Sequence, residues 1–168
     1  MILHSSKMED HLTSNFGGRV RTRACGILVN EKGILLVKHI GIGELNLLWA
    51  PPGGEVKFGE SISECLIREF QEETGLKIKI ESFVTINEFI QAPFHAIELF
   101  FLVKELEGNL IKGSDPELKN DEQIIDDVRF VTFKELEIMP NEVKHELLKK
   151  VKSMDDLLSI KTSMIKFQ

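Results

Sequence analysis

The sequence has only two cysteines, Cys25 and Cys65, which form no CxxC pair and have no histidine cluster beside them. A disulfide framework or a zinc site of the usual spacing is therefore disfavoured. We expect reduced cysteines and a cytoplasmic protein. Cys65 is predicted to fill the core rather than to act as a nucleophile, because no histidine accompanies it.

Long hydrophobic runs are also missing. No stretch approaches the roughly 20 apolar residues that a membrane-spanning helix needs, so no membrane partner is predicted. The first 18 residues mix polar and charged types and lack the apolar segment of a secretory signal. We expect a polar leader over 1–18 and a single domain over 19–168.

Positive charge is in short supply. The chain has 21 Lys and Arg residues against 27 Asp and Glu residues, and its formal net charge is −6. This balance opposes broad contact with nucleic-acid phosphates, so a duplex is not expected as a partner. If the ligand is nevertheless an anion such as a diphosphate, the site needs local positive charge, and a divalent cation is an economical source.

Apolar content is ordinary, since 42% of the residues are hydrophobic, and it predicts a packed core. The patterns predict β-structure in several short segments: a hairpin over 20–29 and 34–37, an apolar step at 47–50, and strands at 77–80, 83–90, 97–103 and 128–131. A polar loop is expected over 108–122. This arrangement favours a mixed α+β domain.

From Asn141 onward, apolar residues recur at helical spacing, with charged residues between them. The pattern predicts an amphipathic helix near the C-terminus. Its apolar stripe has two sensible uses, which are packing on its own domain and covering a homodimer partner, and both stay open.

A second helix is predicted from Ser61 to Thr74. Ser61 and Glu64 match the S-x-x-E capping box, and Gly75 stands where a left-handed cap would end the helix. At 100° per residue, Glu69 and Glu73 fall on the apolar side of this helix, together with Ile62, Cys65 and Leu66. Two carboxylates therefore occupy the face expected to meet the core.

Glu72 adds a third negative charge to the same stretch of helix. Two unit charges about 4 Å apart repel by roughly 4 kcal/mol at an effective dielectric near 20, so the cluster needs compensation. Arg68 alone cannot neutralise three carboxylates, and Mg²⁺ or Mn²⁺ is the expected remedy. Gly53 and Gly54 leave backbone groups open beside the cluster. Such a site suits hydrolysis of a phosphoanhydride bond.

The segment GEVKFGESISECLIREFQEETGL, from Gly54 to Leu76, resembles the Nudix signature. The pattern is Gly, five residues, Glu, seven residues, then Arg-Glu-apolar-any-Glu-Glu-any-Gly-apolar, and every specified position is filled. The preceding W-A-P-P-G-G and the strand-rich surroundings resemble the family more loosely, and the doubled Pro51-Pro52 departs from its usual single proline.

The resemblance implies an α/β/α sandwich with a mixed sheet, and a reaction in which water attacks a diphosphate that links a nucleoside to another group. It implies that the metal is held by Glu69, Glu72, Glu73 and the carbonyl of Gly54. It also implies that Arg68 orients a glutamate by a salt bridge and that Glu60 supports the loop and the ligand shell.

Several assignments stay open. Both Glu73 and Glu122 are candidates for the general base, with Glu73 ranked first. Substrate contacts are expected from Gly53, Glu60 and Arg23, although outward solvated positions are favoured for Arg21 and Arg23 on the first strand.

The histidines His39, His95 and His145 show no ligand spacing, so structural or surface roles are expected for each. A part-buried packing role is expected for Trp49. Pro93, seventeen residues beyond the signature, resembles a proline found in family members that favour ADP-ribose. A non-catalytic, nucleotide-sensing module with the same fold is the alternative function, and the intact glutamates argue against it.

Overall fold

The computed structural model of the chain describes residues 13–114 and 123–160. Seven strands are present in this part: β1 (Val20–Asn30), β2 (Gly33–Ile40), β3 (Leu47–Ala50), β4 (Gly53–Glu55), β5 (Leu76–Gln91), β6 (Phe94–Gly108) and β7 (Ile125–Val131). The helices after β1 are α1 (Ile62–Thr74), α2 (Phe133–Ile138) and α3 (Met154–Ser159), with 3₁₀ turns at Asn141–Val143 and Glu146–Leu148. Residues 13–16, before β1, are helical as well.

The strands form one mixed sheet. Its order is β3-β2-β1-β6-β5, and β4 pairs with β1 while β7 pairs with β2. β1 and β6 run parallel, whereas the other pairs are antiparallel. The predicted hairpin is confirmed, since Asn30 lies opposite Gly33 across its turn.

Side chains of β1 and β2 alternate between two hydrophobic clusters, as the pleat of a strand requires. One cluster joins Ala24 and Leu35 to the buried face of α1. The other joins Cys25 and Ile34 to residues of α2, the 3₁₀ turns and α3. The sheet is therefore covered on both faces, which confirms the predicted α/β/α sandwich.

The local signals around α1 are confirmed. The side chain of Ser61 accepts a hydrogen bond from the backbone of Glu64, whose carboxylate accepts one from the backbone of Ser61. Gly75 ends the helix with φ +73°, a left-handed conformation that favours glycine. Cys65 is fully buried, as expected for a core residue.

The strands after α1 are longer than predicted. The expected segments at 77–80 and 83–90 form one strand, β5, with irregularities in its pairing to β6 near Ile80 and Phe83. Pro93 lies in the turn between these strands, where its carbonyl accepts a hydrogen bond from Gly18. The end of the predicted leader therefore contacts the sheet, while residues 1–12 lie outside the described part.

The prediction of one amphipathic helix from Asn141 onward is wrong. Between Asn141 and Ile160, two 3₁₀ turns come first, and Met154–Ser159 is the α-helical segment. Lys144 forms an isolated parallel β-bridge with Trp49, and the backbone N–H of His145 donates to the Trp49 carbonyl (2.9 Å). This contact with β3 holds the chain extended between the turns, yet the apolar residues still reach the core.

Within residues 13–114 and 123–160, the helices are all too short or too polar to span a lipid bilayer.

Candidate active site

The site is built where β4 passes between β1 and α1. Gly53 and Gly54 lie opposite Cys25 and Ala24 in the antiparallel pairing. Gly53 has φ +150°, and a Cβ atom there would lie 2.2 Å from the Ala24 carbonyl oxygen. A Cβ atom at Gly54 would lie 2.2 Å from a carboxylate oxygen of Glu69. The neighbouring backbone requires glycine at position 53, whereas a Cβ atom at position 54 would displace the Glu69 carboxylate.

Glu73 is the most buried carboxylate of α1, at 7% exposure. Its Oε2 accepts a hydrogen bond from the backbone N–H of Gly53 (2.9 Å), which ties the last turn of the helix to β4. Its Oε1 lies 3.8 Å from Nε2 of His39 on β2. The predicted inward orientation of Glu73 is therefore observed.

Glu69 lies one helical turn earlier, against Gly54, with 14% of its side chain exposed. Burial raises the pKa of Glu69 to about 7, and the neighbouring Glu73 charge acts in the same direction. The Arg68 charge and hydrogen bond oppose this rise without cancelling it. The protein therefore leaves the ionised form of Glu69 under-compensated.

Arg68 is shared among three carboxylates. Its Nε donates to Glu60 (2.7 Å), and its Nη1 donates to both Glu69 (2.7 Å) and Glu72 (3.0 Å). The hydrogen bond with Glu60 is the largest of the interactions that raise the pKa of Arg68 above its ordinary value. The guanidinium is thus a fixed bridge from the loop before α1 to the carboxylate cluster.

Glu60 holds the loop end of this bridge. It accepts the Arg68 hydrogen bonds and one from the backbone N–H of Lys57 (3.0 Å). The Arg68 hydrogen bond is the main cause that lowers the pKa of Glu60 to about 2. This geometry fits the expected loop-supporting role of Glu60.

The donor set fits a hard divalent cation in composition and charge. The Glu69 carboxylate lies against Gly54, Glu73 accepts from the Gly53 N–H, and Glu72 is joined to Glu69 through Arg68. The Gly54 carbonyl faces α1, 3.6 Å from the Cys65 sulfur, and a carbonyl retains a second lone pair for another partner. In the described part of the chain, no three acidic, histidine or cysteine side chains stand in coordinating geometry. Arg68, which bonds to both Glu69 and Glu72, stands between them.

The loop after β6 is anchored to the end of α1. The backbone N–H groups of Ile111, Gly113 and Ser114 donate to the carbonyls of Thr74, Glu73 and Glu72, at 3.0, 3.0 and 3.3 Å. These bonds satisfy helix-end carbonyls that have no partner within the helix. Glu122, the second candidate for the base, lies outside the described residues.

A second polar cluster lies on the opposite face of the sheet. Arg23 lies on β1, opposite Glu55 of β4. Its guanidinium donates to Glu98 on β6 (3.0 Å) and to the Gly53 carbonyl (2.9 Å). Glu98 also interacts with Asn87 and His145, each at 2.8 Å. The expectation of a solvated Arg23 is wrong, because 24% of its side chain is exposed.

Arg21 lies two residues earlier on the same face of β1. It packs over the ring of Phe16, 4.7 Å from the centroid, and 14% of its side chain is exposed, so it too is not solvated. Burial is the main cause that lowers the pKa of Arg21. Its Nε is buried and has no hydrogen-bond partner among the described residues.

Sequence reasoning missed Glu98 and Asn87, and it treated His39 and His145 only as isolated histidines. Glu98 and Asn87 sit in strands rich in apolar residues without any motif. A polar residue at a core position of a predicted strand was the available signal, but it did not reveal the partner.

A NUDIX domain profile matches residues 19–152. Nudix hydrolase 2 of Arabidopsis thaliana is 27% identical over 157 residues, which cover 94% of this chain and 53% of that protein. ADP-ribose pyrophosphatase of Methanocaldococcus jannaschii is 33% identical over 92 residues, which cover 54% of each. The chain thus spans about half the length of these curated relatives.

Among solved structures, a MutT protein from Methanosarcina mazei matches with a TM-score of 0.62 at 19% identity, covering 84% of this chain and 92% of that one. At this identity the match supports the fold alone.

Proposed function

The chain belongs to the NUDIX domain family, and from that premise we propose that it hydrolyses a phosphoanhydride bond in a nucleoside diphosphate linked to a second group. The supporting observation is the burial of Glu69 and Glu73 against the two glycines of β4, with one arginine shared by three carboxylates. The products would be a nucleoside monophosphate and the phosphorylated second group.

Glu69, Glu72, Glu73 and the Gly54 carbonyl would hold Mg²⁺ or Mn²⁺, which prefer oxygen ligands. A cation would also supply the charge that Glu69 lacks. When bound, it neutralises phosphate oxygens and makes water a better nucleophile at neutral pH.

Glu73 is our first candidate for the general base and Glu122 the second. In the proposed step, the water oxygen forms a bond to phosphorus, the bridging P–O bond breaks, and the carboxylate accepts the water proton. Glu60 and Arg68 would keep the carboxylates in place, because one guanidinium joins the loop to the helix.

Phosphate contacts are proposed for the sheet face that carries Gly53 and the arginines. Arg23 is committed to Glu98 and to the Gly53 carbonyl, so its contribution would be to hold Gly53. Arg21, whose Nη1 lies 3.9 Å from the Glu55 carboxylate and which makes no bond to Glu98 or Gly53 among the described residues, is the better candidate to meet a ligand phosphate.

The substrate is proposed from the class of nucleoside diphosphate derivatives, with ADP-ribose, nucleotide sugars and nucleoside triphosphates as candidates. The matched archaeal relative is named as an ADP-ribose pyrophosphatase, and Pro93 is consistent with that choice. A thermal-shift screen with metal present would rank these compounds, because a ligand that binds the native state raises the melting temperature.

The decisive experiment is a turnover assay on this panel with Mg²⁺ or Mn²⁺, with nucleotide products separated by chromatography. We expect release of a nucleoside monophosphate from at least one member. Binding of a nucleotide without turnover of any would favour the sensing module instead. A cytoplasmic location, a homodimer and the exclusion of nucleic-acid duplexes stay predictions.

A further inference from the structure

His145, between the two 3₁₀ turns, has a defined proton arrangement. Its Nδ1 accepts a hydrogen bond from the backbone N–H of Leu147 (3.1 Å), so the ring proton belongs on Nε2. Nε2 then donates to Oε2 of Glu98 (2.8 Å). The ring is 9% exposed and also packs against Phe100, with centroids 5.3 Å apart.

Glu98 collects donors from three different elements. His145 and Asn87 both reach Oε2 at 2.8 Å, and Arg23 reaches Oε1 at 3.0 Å. Only 3% of the residue is exposed. Burial raises the pKa of Glu98, but these partners outweigh it and leave the pKa at about 2. Glu98 is therefore a fixed anion that orients the guanidinium of Arg23.

Arg23 passes this orientation to β4. Its Nη2 donates to the Gly53 carbonyl (2.9 Å), while the Gly53 N–H donates to Glu73 (2.9 Å). Gly53 is therefore held from two sides, by the carboxylate cluster of α1 through its N–H and by the buried network of the other face through its carbonyl. Because φ at Gly53 is +150°, where few side chains are tolerated, its orientation depends on such contacts.

We propose that His145 is a positioning residue for the candidate active site, acting through Glu98 and Arg23 on the Gly53 carbonyl. His145 thereby sets the start of β4 against Glu73, while its own hydrogen bonds go to Glu98 and Leu147. The catalytic part of this inference rests on the proposed hydrolase function, whereas the control of Gly53 does not.

Two substitutions separate the two ring nitrogens. In His145→Gln, the side-chain amide nitrogen can replace the Nε2 donor to Glu98, but the acceptor for Leu147 is lost. In His145→Asn, the amide oxygen can replace the Nδ1 acceptor, but the shorter side chain cannot reach Glu98. A residue that merely caps the 3₁₀ turn needs the acceptor, whereas a positioning residue needs the donor.

The first readout is hydrogen exchange of the Gly53 amide in the metal-free protein, measured by NMR. We expect His145→Asn to accelerate it about tenfold and His145→Gln to leave it within about twofold of wild type, because losing one hydrogen bond to a buried charged group favours local opening by about that factor. Slow exchange of Leu35, Leu36 and Val37 in β2 checks that each variant is folded.

Arg23→Lys serves as a second variant if His145→Asn does not fold. Lysine keeps the charge but cannot join Glu98 to the Gly53 carbonyl as a planar fork. It should accelerate exchange at Gly53 to the same extent.

The second readout is kinetic. On a substrate that the wild type turns over, His145→Asn should lower kcat about tenfold while His145→Gln stays within about twofold. The proposal is overturned if Asn behaves as wild type while Gln does not, if both are equally impaired, or if neither changes Gly53 exchange. An inactive wild type would refute the proposed function, and the exchange results would still decide the role of His145.

Discussion

Glu69 is partly buried and Glu98 is buried, with 14% and 4% of their side chains exposed, and they lie on opposite faces of the same sheet. Burial raises the pKa of Glu69 to about 7, whereas the partners of Glu98 overcome burial and hold its pKa at about 2. Glu98 accepts hydrogen bonds from Arg23, His145 and Asn87. Glu69 shares Arg68 with two other carboxylates.

This difference shows that burial alone does not assign a role to a charged group. The Glu98 network is complete within the protein and orients the backbone. The Glu69 cluster keeps a negative charge that Arg68 does not cancel, and the proposed cation would neutralise it. Gly53 connects the two, because its carbonyl belongs to one network and its N–H to the other.

Among substitutions in the carboxylate cluster of α1 (Glu69, Glu72 and Glu73), we expect the largest effect from Glu73→Gln. The substitution removes one charge without removing volume, and the glutamine oxygen can still accept from Gly53. We expect kcat to fall about 1000-fold, which corresponds to about 4 kcal/mol of transition-state stabilisation. Steady-state kinetics on the best panel substrate measure it.

Glu64→Gln on the same helix is the matched control, since Glu64 is exposed and serves the N-terminal cap. Its kcat should stay within about twofold of wild type, as expected for a surface position away from the chemistry. Equal losses in both variants, or wild-type turnover in Glu73→Gln, would remove Glu73 from the mechanism.

Removing the charge of Glu98 should lower the free energy of unfolding. The pKa of Glu98 is about 2 in the folded protein, against 4.5 for an unperturbed glutamate as in the unfolded chain. The ionised group therefore stabilises the fold by up to about 3 kcal/mol. Because the folded pKa is depressed, this contribution is fully present above about pH 4.5 and is lost as the pH falls towards 2.

Glu98→Gln should therefore be less stable than wild type at pH 7, and the gap should narrow at pH 3. Urea denaturation at both values measures the gap. Glu107→Gln, in the exposed part of β6, should show no such dependence of comparable size. A gap that stays constant with pH would contradict the assignment of Glu98 as a buried, compensated anion.

A smaller effect is expected from removing Arg68, which joins Glu60 to the carboxylates of α1. Arg68→Ala removes the link between Glu60, Glu69 and Glu72, and we expect activity to fall about 10- to 100-fold, less than for Glu73→Gln. Arg68→Lys keeps the charge without the planar fork and should lie between the two. An Arg68→Ala variant as active as wild type would show that the bridge is dispensable.

The smallest effect tests the contact between Gly54 and Glu69. In Gly54→Ala the new methyl group meets the end of a flexible side chain, so the fold should survive while the carboxylate is displaced. We expect about a tenfold loss of activity. Gly53→Ala instead meets the Ala24 backbone and should destabilise the protein strongly in thermal unfolding. If Gly54→Ala retains full activity, the placement of Glu69 is not critical.

The part of this comparison that lies on α1 could be predicted from the sequence. Ser61, Glu64 and Gly75 act within one or two turns of the helix, and the inward positions of Glu69 and Glu73 follow from the helical period alone. Signals of this kind need no knowledge of the fold.

The Glu98 network could not be predicted, because its members meet only through tertiary structure. Arg23 and Glu98 become neighbours through the parallel pairing of β1 with β6, which no local pattern specifies. His145 was concealed by an apolar spacing typical of a helix. In the structure, the apolar residues of this segment lie on two 3₁₀ turns, on the extended chain that pairs with Trp49 and on α3. They all pack into the same hydrophobic cluster.

The central claim is that the carboxylates beside Gly54 are gathered for a divalent cation. Calorimetric titration of the metal-free protein with Mn²⁺ tests it without any assumption about substrate. We predict saturable uptake by the wild type and by Glu64→Gln, with affinity lowered at least about tenfold in Glu73→Gln. Absence of uptake by the wild type, or equal affinity in Glu73→Gln, would contradict the claim.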